Sequence, residues 1–158
     1  MEKRRRAPPP SVSRMSIALQ YCHVTVNDVD ESLGFYRDAL GLDVRNDVSS
    51  GKFRWVTLGS QDQAGTEIVL SVPHAGRPPA DGDALQELLT KGVLPMIIFR
   101  VDDVDAIFEK VRASGAEVLQ EPMEQPYGPR DCAFRDPSGN MVKLAQDPVQ
   151  PILRSSAR

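Results

Sequence analysis

The 158-residue chain has few of the residues that form disulfides or most often bind metal ions, with only two cysteines, Cys22 and Cys132, and two histidines. Two cysteines cannot form a disulfide framework, and in the absence of a secretory signal they indicate a reducing cytoplasm. No apolar run reaches the roughly 20 residues that a helix needs to cross a bilayer, so we expect no membrane partner. A glycine-rich phosphate loop and a Ser-His-Asp pattern are also missing, which argues against nucleotide-binding and triad hydrolase folds.

What the chain does contain is typical of one compact globular domain, with 41% hydrophobic and 26% charged residues. Its net charge of −3 is uneven, because residues 1–14 carry five basic side chains and one acidic side chain. The remainder is therefore acidic, which argues against nucleic acid as a partner. We expect residues 1–15 to be a disordered basic extension and residues 148–158 a loose tail, because neither segment has apolar periodicity.

Hydrophobic periodicity predicts an order of strands and helices that occurs twice. Asp28 is placed as the N-cap of the first helix, and Gly41 is placed to end it. The first half is predicted to hold strands at 17–26, 42–48, 52–58 and 66–72, a helix at 28–40 and a hairpin turn at 49–51. The second half is predicted to hold strands at 95–101, 116–120, 130–134 and 141–145, a helix at 103–114 and a loop at 122–129. A loop at 73–82 and a short helix at 84–91 are predicted to join the halves.

The two halves are related by a direct internal repeat. Val-Asn-Asp-Val-Asp at 26–30 matches Val-Asp-Asp-Val-Asp at 101–105, and Ile-Val-Leu at 68–70 matches Val-Lys-Leu at 142–144. A repeat of about half the chain indicates two copies of one βαβββ module, which is an α+β fold. We expect a domain at 16–147, with module one at about 16–73, a linker at 74–94 and module two at about 95–147.

Several motifs of this repeat resemble the vicinal oxygen chelate superfamily, which includes glyoxalase I, bleomycin resistance proteins, fosfomycin resistance enzymes and extradiol dioxygenases. Phe-Tyr-Arg-Asp-Ala-Leu-Gly-Leu at 35–42 resembles the signature of its first module, and Asp-Pro-Ser-Gly-Asn at 136–140 resembles the closing turn of its second. Tyr127-Gly128 resembles the loop that precedes this turn. The resemblance covers about residues 17–146 and implies paired modules around a U-shaped cleft.

In metal-dependent members of the superfamily, a divalent ion in the cleft is held by His or Glu side chains and polarises a substrate through two neighbouring oxygens. The resemblance implies that the four ligand positions fall on Tyr21, Val69, Met96 and Lys143. An ammonium has no lone pair and a thioether is a poor ligand for a hard ion, so at least the two positions in module two are unsuited to a metal.

Strand alternation predicts which side chains face the cleft. If Cys22 and Val24 pack on the helix, Tyr21 and His23 face the cleft, as does Glu67 from the fourth strand. His23 and Glu67 are then the metal-competent pair, although two ligands are few for a stable site. The alternative is that they hydrogen-bond to each other, to Tyr21 or to solvent.

The remaining candidates each have a structural alternative. Lys143 could serve as a base or an anion clamp, or pair with Glu67. Arg100 and Arg130 could bind a carboxylate or phosphate, or form surface salt bridges. Trp55 and Tyr127 could stack on a flat ligand, although a lone tryptophan in a sheet is as often core or rim. We expect His74 to be solvated and Cys132 not to be a nucleophile.

Three functions are compatible with these residues. The preferred one is cofactor-free and metal-free binding of a small organic molecule by Tyr21, His23, Trp55, Glu67, Met96, Arg100, Tyr127 and Lys143. The second is a metal-dependent lyase, isomerase or dioxygenase whose atypical divalent-metal site uses His23 and Glu67. The third is a metal-free enzyme that uses Lys143, His23 or Glu67 for proton transfer. The resemblance also implies a homodimer.

Overall fold

A computed structural model describes residues 16–148, so the predictions for residues 1–15 and 149–158 lie outside the described part of the chain. Module one consists of β1 (Tyr21–Thr25), helix α1 (Val29–Leu33) with a π-helical continuation (Gly34–Ala39), β2 (Asp43–Ser50), β3 (Phe53–Ser60) and β4 (Gln63–Ser71). Helix α2 (Pro79–Lys91) follows. Module two consists of β5 (Ile97–Arg100), α3 (Val104–Ala113), β6 (Glu117–Glu124), β7 (Arg130–Arg135) and β8 (Met141–Gln146).

The two modules have the same topology. Their sheets have the strand orders β1-β4-β3-β2 and β5-β8-β7-β6, in which the first strand of each module pairs in parallel with the last. The other neighbouring strands are antiparallel. This arrangement confirms the predicted α+β fold of two βαβββ modules.

Matching residues begin and end the two helices that carry the repeat. Asp28 and Asp103 are N-caps whose side chains accept from the backbone N–H groups three residues ahead, at 2.8 and 3.0 Å. Each satisfies a helix N–H that has no partner within the helix. Gly41 and Gly115 follow the helices with φ values of +82° and +88°, a conformation that glycine adopts without a side-chain clash. The predicted helix boundaries of the repeat are thus confirmed to within a few residues.

Three elements differ from the sequence-based expectation. The first helix widens to a π-helix, which lets the adjacent Phe35 and Tyr36 both point into the core. Helix α2 begins at Pro79 rather than at residue 84, because proline is tolerated in a first turn, where its missing N–H would have no partner. Strand β6 runs through Pro122, which its edge position and a shift of pairing register between Gln120 and Met123 accommodate.

The first hairpin turn also lies one residue later than expected. Ser50 pairs with Phe53, so the turn is made by Gly51 and Lys52, and Gly51 takes φ +60°. Strand β4 begins at Gln63 rather than at residue 66, directly after a two-residue turn that pairs Ser60 with Gln63. The polar residues at this end of β4 lack the apolar alternation that marks the rest of the strand.

One hydrophobic core joins the helices to one face of both sheets. Val24 and Val26 are buried in it, but the expectation that Cys22 also packs on the helix is wrong, since Cys22 is exposed. In β1, burial begins only at Val24, so the core covers the C-terminal end of the strand. The other large core side chains come from both modules, namely Phe35, Tyr36, Leu58, Leu70, Phe108, Phe134 and Leu144.

Hydrogen bonds fix one module against the other at the turn between β7 and β8. The phenol of Tyr36 donates to the buried carboxylate of Asp136 at 2.7 Å. Burial, followed by the charge and hydrogen bond of Asp136, raises the pKa of Tyr36. The side chain of Asn140 donates to the carbonyl of Thr25 at 2.9 Å. Within residues 16–148, no helix is both long and apolar enough to cross a membrane.

Candidate functional site

The candidate site lies on the open face of each sheet, which we define as the face opposite α1 and α3. The pairing register assigns side chains to this face, because directly paired residues point to the same side of a sheet. In module one the open face carries Tyr21, His23, Thr25, Trp55, Thr57, Glu67 and Val69. In module two it carries Ile98, Arg100, Asp131, Ala133, Lys143 and Ala145.

Two equivalent arginines lie on the opposite, helix-bearing face. Arg54 in β3 bonds Asp30 of α1 at 2.7 Å, and Arg130 in β7 bonds Asp105 of α3 at 2.7 and 2.9 Å. Of the two alternatives considered for Arg130, the structure therefore shows the salt bridge, because strand alternation turns its side chain toward α3. The same contact between a strand arginine and a helix aspartate thus occurs in both modules, in agreement with the internal repeat.

Asp131 is the centre of a polar cluster on the open face of module two. Its side chain is 3% exposed and accepts hydrogen bonds at Oδ1 from Gln120 at 2.8 Å and from Gln125 at 2.7 Å. Its Oδ2 accepts from the phenol of Tyr127 at 3.3 Å and lies 3.6 Å from Nζ of Lys143. Asp131 thus ties β6, the following loop and β8 together.

The environment of Asp131 favours its ionised form. Burial by itself raises the pKa of this carboxyl, but the hydrogen bonds from Gln125 and Gln120, the charge of Lys143 and the Tyr127 phenol together lower it. A carboxylate that accepts several hydrogen bonds and faces an ammonium is stabilised as the anion. Asp131 is therefore a fixed negative charge at the floor of the open face.

Lys143 lies beside Asp131 rather than beside Glu67. It is at the middle of β8, and its side chain is 20% exposed. The alternative in which Lys143 pairs with Glu67 is not realised, because the carboxylate that pairs with its ammonium is that of Asp131. Its ammonium approaches Asp131 but forms no hydrogen bond within residues 16–148, so its donors remain available on the open face.

His23 and Glu67 lie on neighbouring strands but are not paired. Tyr21 is directly opposite Glu67, and His23 is opposite Val69, so His23 and Glu67 are diagonal neighbours on one face. Neither forms a side-chain hydrogen bond or ion pair within the described residues, and His23 is exposed. The structure therefore leaves His23 open to solvent and Glu67 half-buried, and neither side chain has a protein partner within residues 16–148.

The four positions that the family resemblance assigns to metal ligands form two matching diagonals. Tyr21 is diagonal to Val69 across β1 and β4, and Met96 precedes β5 so that it is diagonal to Lys143 of β8. Val69 offers no donor atom, and the ammonium of Lys143 offers no lone pair. No group of three or more His, Cys, Asp or Glu side chains in the described residues is arranged to hold a metal ion. This donor set does not fit a divalent ion.

The remaining candidates are spread along the open face. Trp55 is half-buried, packs edge-on against Phe53 and lies close to Gly76 in the loop before α2. It is about 13 Å along β3 from Gly59, which pairs with Glu67, so the structure does not bring Trp55 and Glu67 together. Tyr127 is 70% exposed on the loop after β6. Arg100 is exposed at the end of β5 and makes no ion pair in the part of the chain described.

His74 and Cys132 do not contribute to this face. His74 is half-buried and so remains partly solvated, as expected, and its Nε2 also bonds Asp83 of α2 at 2.8 Å. Cys132 points into the core. Burial, and then the charge of Asp131, raises the pKa of its thiol to about 11. A thiol in that state is a poor nucleophile, in agreement with the sequence-based expectation.

The sequence-based reasoning overlooked Asp131 and its two glutamines. Strand β7 reads Arg-Asp-Cys-Ala-Phe, and alternation from the apolar Cys132 and Phe134 places Asp131 on the opposite face. The same argument that located Lys143 could therefore have found Asp131. Gln120 and Gln125 could not have been found this way, because the shift of pairing register in β6 breaks the period of two.

Comparisons with known proteins find the same overall fold. The structure of UcmS2 is 32% identical in sequence, covers 83% of this chain and 98% of its own, and superposes with a TM-score of 0.74. TnmS3, described as an antibiotic binding protein from Streptomyces sp. CB03234, is 29% identical over 85% of this chain and 99% of its own, with a TM-score of 0.66. A probable lactoylglutathione lyase from Synechocystis sp. is 28% identical over 81% of this chain and 94% of its own.

The family model that matches this chain covers most of its described residues. The match extends over residues 18–144, which includes both modules and the linker between them. The chain therefore belongs to the Glyoxalase/Bleomycin resistance protein/Dioxygenase superfamily.

Proposed function

We propose that this protein binds a small, flat and partly apolar organic molecule at the open faces of its two sheets, without a metal ion or other cofactor. One observation carries the proposal: the four positions that would hold a metal in this superfamily are Tyr21, Val69, Met96 and Lys143, and the ammonium of Lys143 faces a buried carboxylate. The side chains that we assign to the ligand are Tyr21, His23, Trp55, Glu67, Met96, Arg100, Tyr127 and Lys143.

The character of the open faces supports a ligand of this kind. Tyr21, Met96, Ile98 and Tyr127 expose between 48% and 70% of their surface there. Met96 and Ile98 are two residues apart on the same side of module two, and large apolar side chains exposed next to each other commonly mark a binding surface. The description of TnmS3 as an antibiotic binding protein gives further support, and sequestration of an antibiotic or toxic metabolite is one form of the proposed function.

The test is elemental analysis of protein purified without a metal-chelating tag, combined with a thermal-shift screen against flat aromatic compounds. We expect less than about one-tenth of an equivalent of nickel, zinc, iron or manganese, together with a rise in melting temperature for some compounds. Near-stoichiometric metal would contradict the proposal.

A second function is favoured by the position of two residues. His23 and Glu67 lie diagonally on one face and have no protein partner within residues 16–148, so both are available as ligands to a divalent ion. The relative from Synechocystis sp., named as a probable lactoylglutathione lyase, is in line with such an enzyme. If metal is found, His23→Ala and Glu67→Ala should each release it. Retention of metal by both variants would exclude this pair.

We also propose that the protein is a cytoplasmic homodimer. A second copy would cover part of the apolar side chains on the open faces, including Val48 and Met123, which are 47% and 46% exposed. Burial of such side chains is the main driving force for subunit association. Light scattering after size exclusion would give twice the 17.4 kDa mass of the chain if this is correct.

A further inference from the structure

We propose that Lys143 binds an anionic oxygen of the ligand, a carboxylate, sulfonate or phenolate on an otherwise flat apolar molecule, and that Asp131 is the positioning residue that holds the ammonium in place. This inference rests on the proposed function and adds the chemical class of its ligand.

The first argument is the unused hydrogen-bonding capacity of Lys143. Its ammonium carries three N–H donors, and its nearest acidic atom, Oδ2 of Asp131, is 3.6 Å away, beyond ordinary hydrogen-bond length. Every buried side-chain polar atom in the described residues has a hydrogen-bond partner. The ammonium of Lys143 has none, so it is not fully buried and solvent reaches its donors. A ligand oxygen could replace this water without breaking a protein contact.

The second argument is that Lys143 is held in position. Its side chain is only 20% exposed, and the carboxylate beside it is fixed by Gln120, Gln125 and Tyr127. A lysine on a free surface loses side-chain entropy when it grips a ligand. Here part of that entropy is already lost in the folded protein, which favours binding.

The third argument is the surroundings of the ammonium. Ile98 is directly opposite Lys143 on β5 and is 60% exposed, and Ala133 is directly opposite on β7. Met96 is exposed by 50% on the same side. A charged group with apolar neighbours suits a ligand that has one charged atom group and a flat hydrocarbon body, because the water expelled from both is replaced by matching contacts.

The fourth argument is the balance of charge. Asp131 carries one negative charge, whereas Lys143 and Arg100 carry two positive charges, and Arg100 lies diagonal to Lys143 on β5. Arg100 makes no ion pair within the described residues. Glu117 and Arg135 are directly paired across β6 and β7 on the same face, and their charges balance each other. The open face of module two therefore has an excess of one positive charge, in a chain whose net charge is −3. An anionic ligand matches this local excess, and a cationic one does not.

The experiment compares two fluorescent probes that differ by a single sulfonate, 8-anilinonaphthalene-1-sulfonate and N-phenyl-1-naphthylamine. Both are titrated against the wild-type chain, Lys143→Met and the matched control Lys91→Met, which removes an exposed ammonium from α2. We expect Lys143→Met to weaken binding of the sulfonate probe about tenfold or more and to change binding of the neutral probe less than about twofold. Lys91→Met should alter neither.

Each outcome has a defined meaning. Unchanged binding of the sulfonate probe to Lys143→Met, or an equal loss of both probes, would overturn the inference and leave the proposed function standing. Saturable binding of neither probe to the wild-type chain would overturn the proposed function and this inference together. If Lys143→Met does not fold, the double variant Lys143→Met/Asp131→Asn removes the buried charge with its partner, and the same comparison of probes is made on it.

Discussion

Trp55 and Asp131 occupy equivalent positions in the two modules. Each directly follows the arginine, Arg54 or Arg130, that bonds the aspartate in the first turn of its module's helix. Each also points to the open face, since alternation reverses the direction of the neighbouring side chain. One half of the proposed binding surface therefore has an indole where the other half has a buried carboxylate, which suits a ligand with an aromatic part and a polar part.

The indole of Trp55 should contribute to binding of the aromatic part. We expect Trp55→Leu to weaken binding of N-phenyl-1-naphthylamine about two- to tenfold, because an aromatic contact is worth about 0.5–1.5 kcal/mol beyond its buried area. The measurement is a titration that follows the fluorescence of the probe. Phe53→Leu is the control for lost packing, since that ring contacts Trp55 edge-on at 6.5 Å between centroids. An equal loss of affinity in both variants would contradict a direct contact between Trp55 and the probe.

The ionised state of Asp131 predicts a pH dependence of stability. The pKa of Asp131 is lower in the folded protein than the ordinary value of about 3.9 that it has in the unfolded chain. The contacts that stabilise the anion exist only in the folded protein, so the ionised carboxylate stabilises the fold. This contribution is fully present above pH 5 and is lost as the pH falls through the lowered pKa. Urea unfolding should therefore show wild type more stable than Asp131→Asn at pH 6, with the difference shrinking below about pH 4.

The same comparison tests the sign of the shift. Other carboxylates with a lowered pKa, such as Asp47 and Asp105, are unchanged in the variant and cancel from the difference. A difference in unfolding free energy that grows as the pH falls would mean that burial dominates and that Asp131 is protonated in the native state.

Much of the fold could be predicted because local signals and the repeat agree. Asp28 and Asp103 mark the starts of the two helices, and Gly41 and Gly115 mark their ends. Alternation in β1 and β8 correctly predicts which side chains lie on the open face and which on the helix-bearing face. The errors have local causes. Pro79 begins a helix that the sequence predicts to start later, and Pro122 lies inside a strand, an element that proline usually ends. The exposure of Cys22, two residues before the buried Val24, depends on where the core ends along β1.

Less of the site could be predicted. The cleft-facing residues of regular strands, among them His23 and Lys143, follow from the period of two. The partner of Lys143 does not, because the pairing register between β7 and β8, which makes Asp131 a diagonal neighbour of Lys143, is not set by the period of two. Gln120 and Gln125 reach Asp131 from a strand with shifted register and from a loop, and neither has a periodic signal.

Two glycines should respond in opposite ways to alanine. A Cβ at Gly82 would collide with the ring of His74, which the bond to Asp83 holds in place. We expect Gly82→Ala to lower the free energy of unfolding by about 1–3 kcal/mol. Gly34 lies in a right-handed helical conformation with nothing within 4 Å of a Cβ, so Gly34→Ala should raise it by about 0.5–1 kcal/mol.

The double variant Gly82→Ala/His74→Ala identifies the cause of the effect at Gly82. If the clash with the His74 ring is responsible, the double variant should be less destabilised than the sum of the two single variants, because the residues are in contact. Chemical denaturation of all four chains measures this. Additive effects would instead indicate that Gly82 is required for another reason.

Arg100 and Arg130 should differ in their effect on an anionic ligand, because they lie on opposite faces of the same sheet. We expect Arg100→Gln to weaken binding of 8-anilinonaphthalene-1-sulfonate about two- to threefold at low salt, with the effect fading toward 1 M salt, as screening of an exposed charge requires. Arg130→Gln should leave binding unchanged and lower the free energy of unfolding only slightly, since its pair with Asp105 is exposed to solvent.

The two arginine variants control for each other, since each removes one positive charge from module two. A general effect of net charge on the anionic probe would weaken binding equally in both. Equal weakening would therefore refute the assignment of Arg100 to the binding face, whereas a loss confined to Arg130→Gln would place the ligand against α3. Weakening confined to Arg100→Gln is the outcome that the strand register predicts, because Arg100 pairs with Ala145 on the face that carries Lys143.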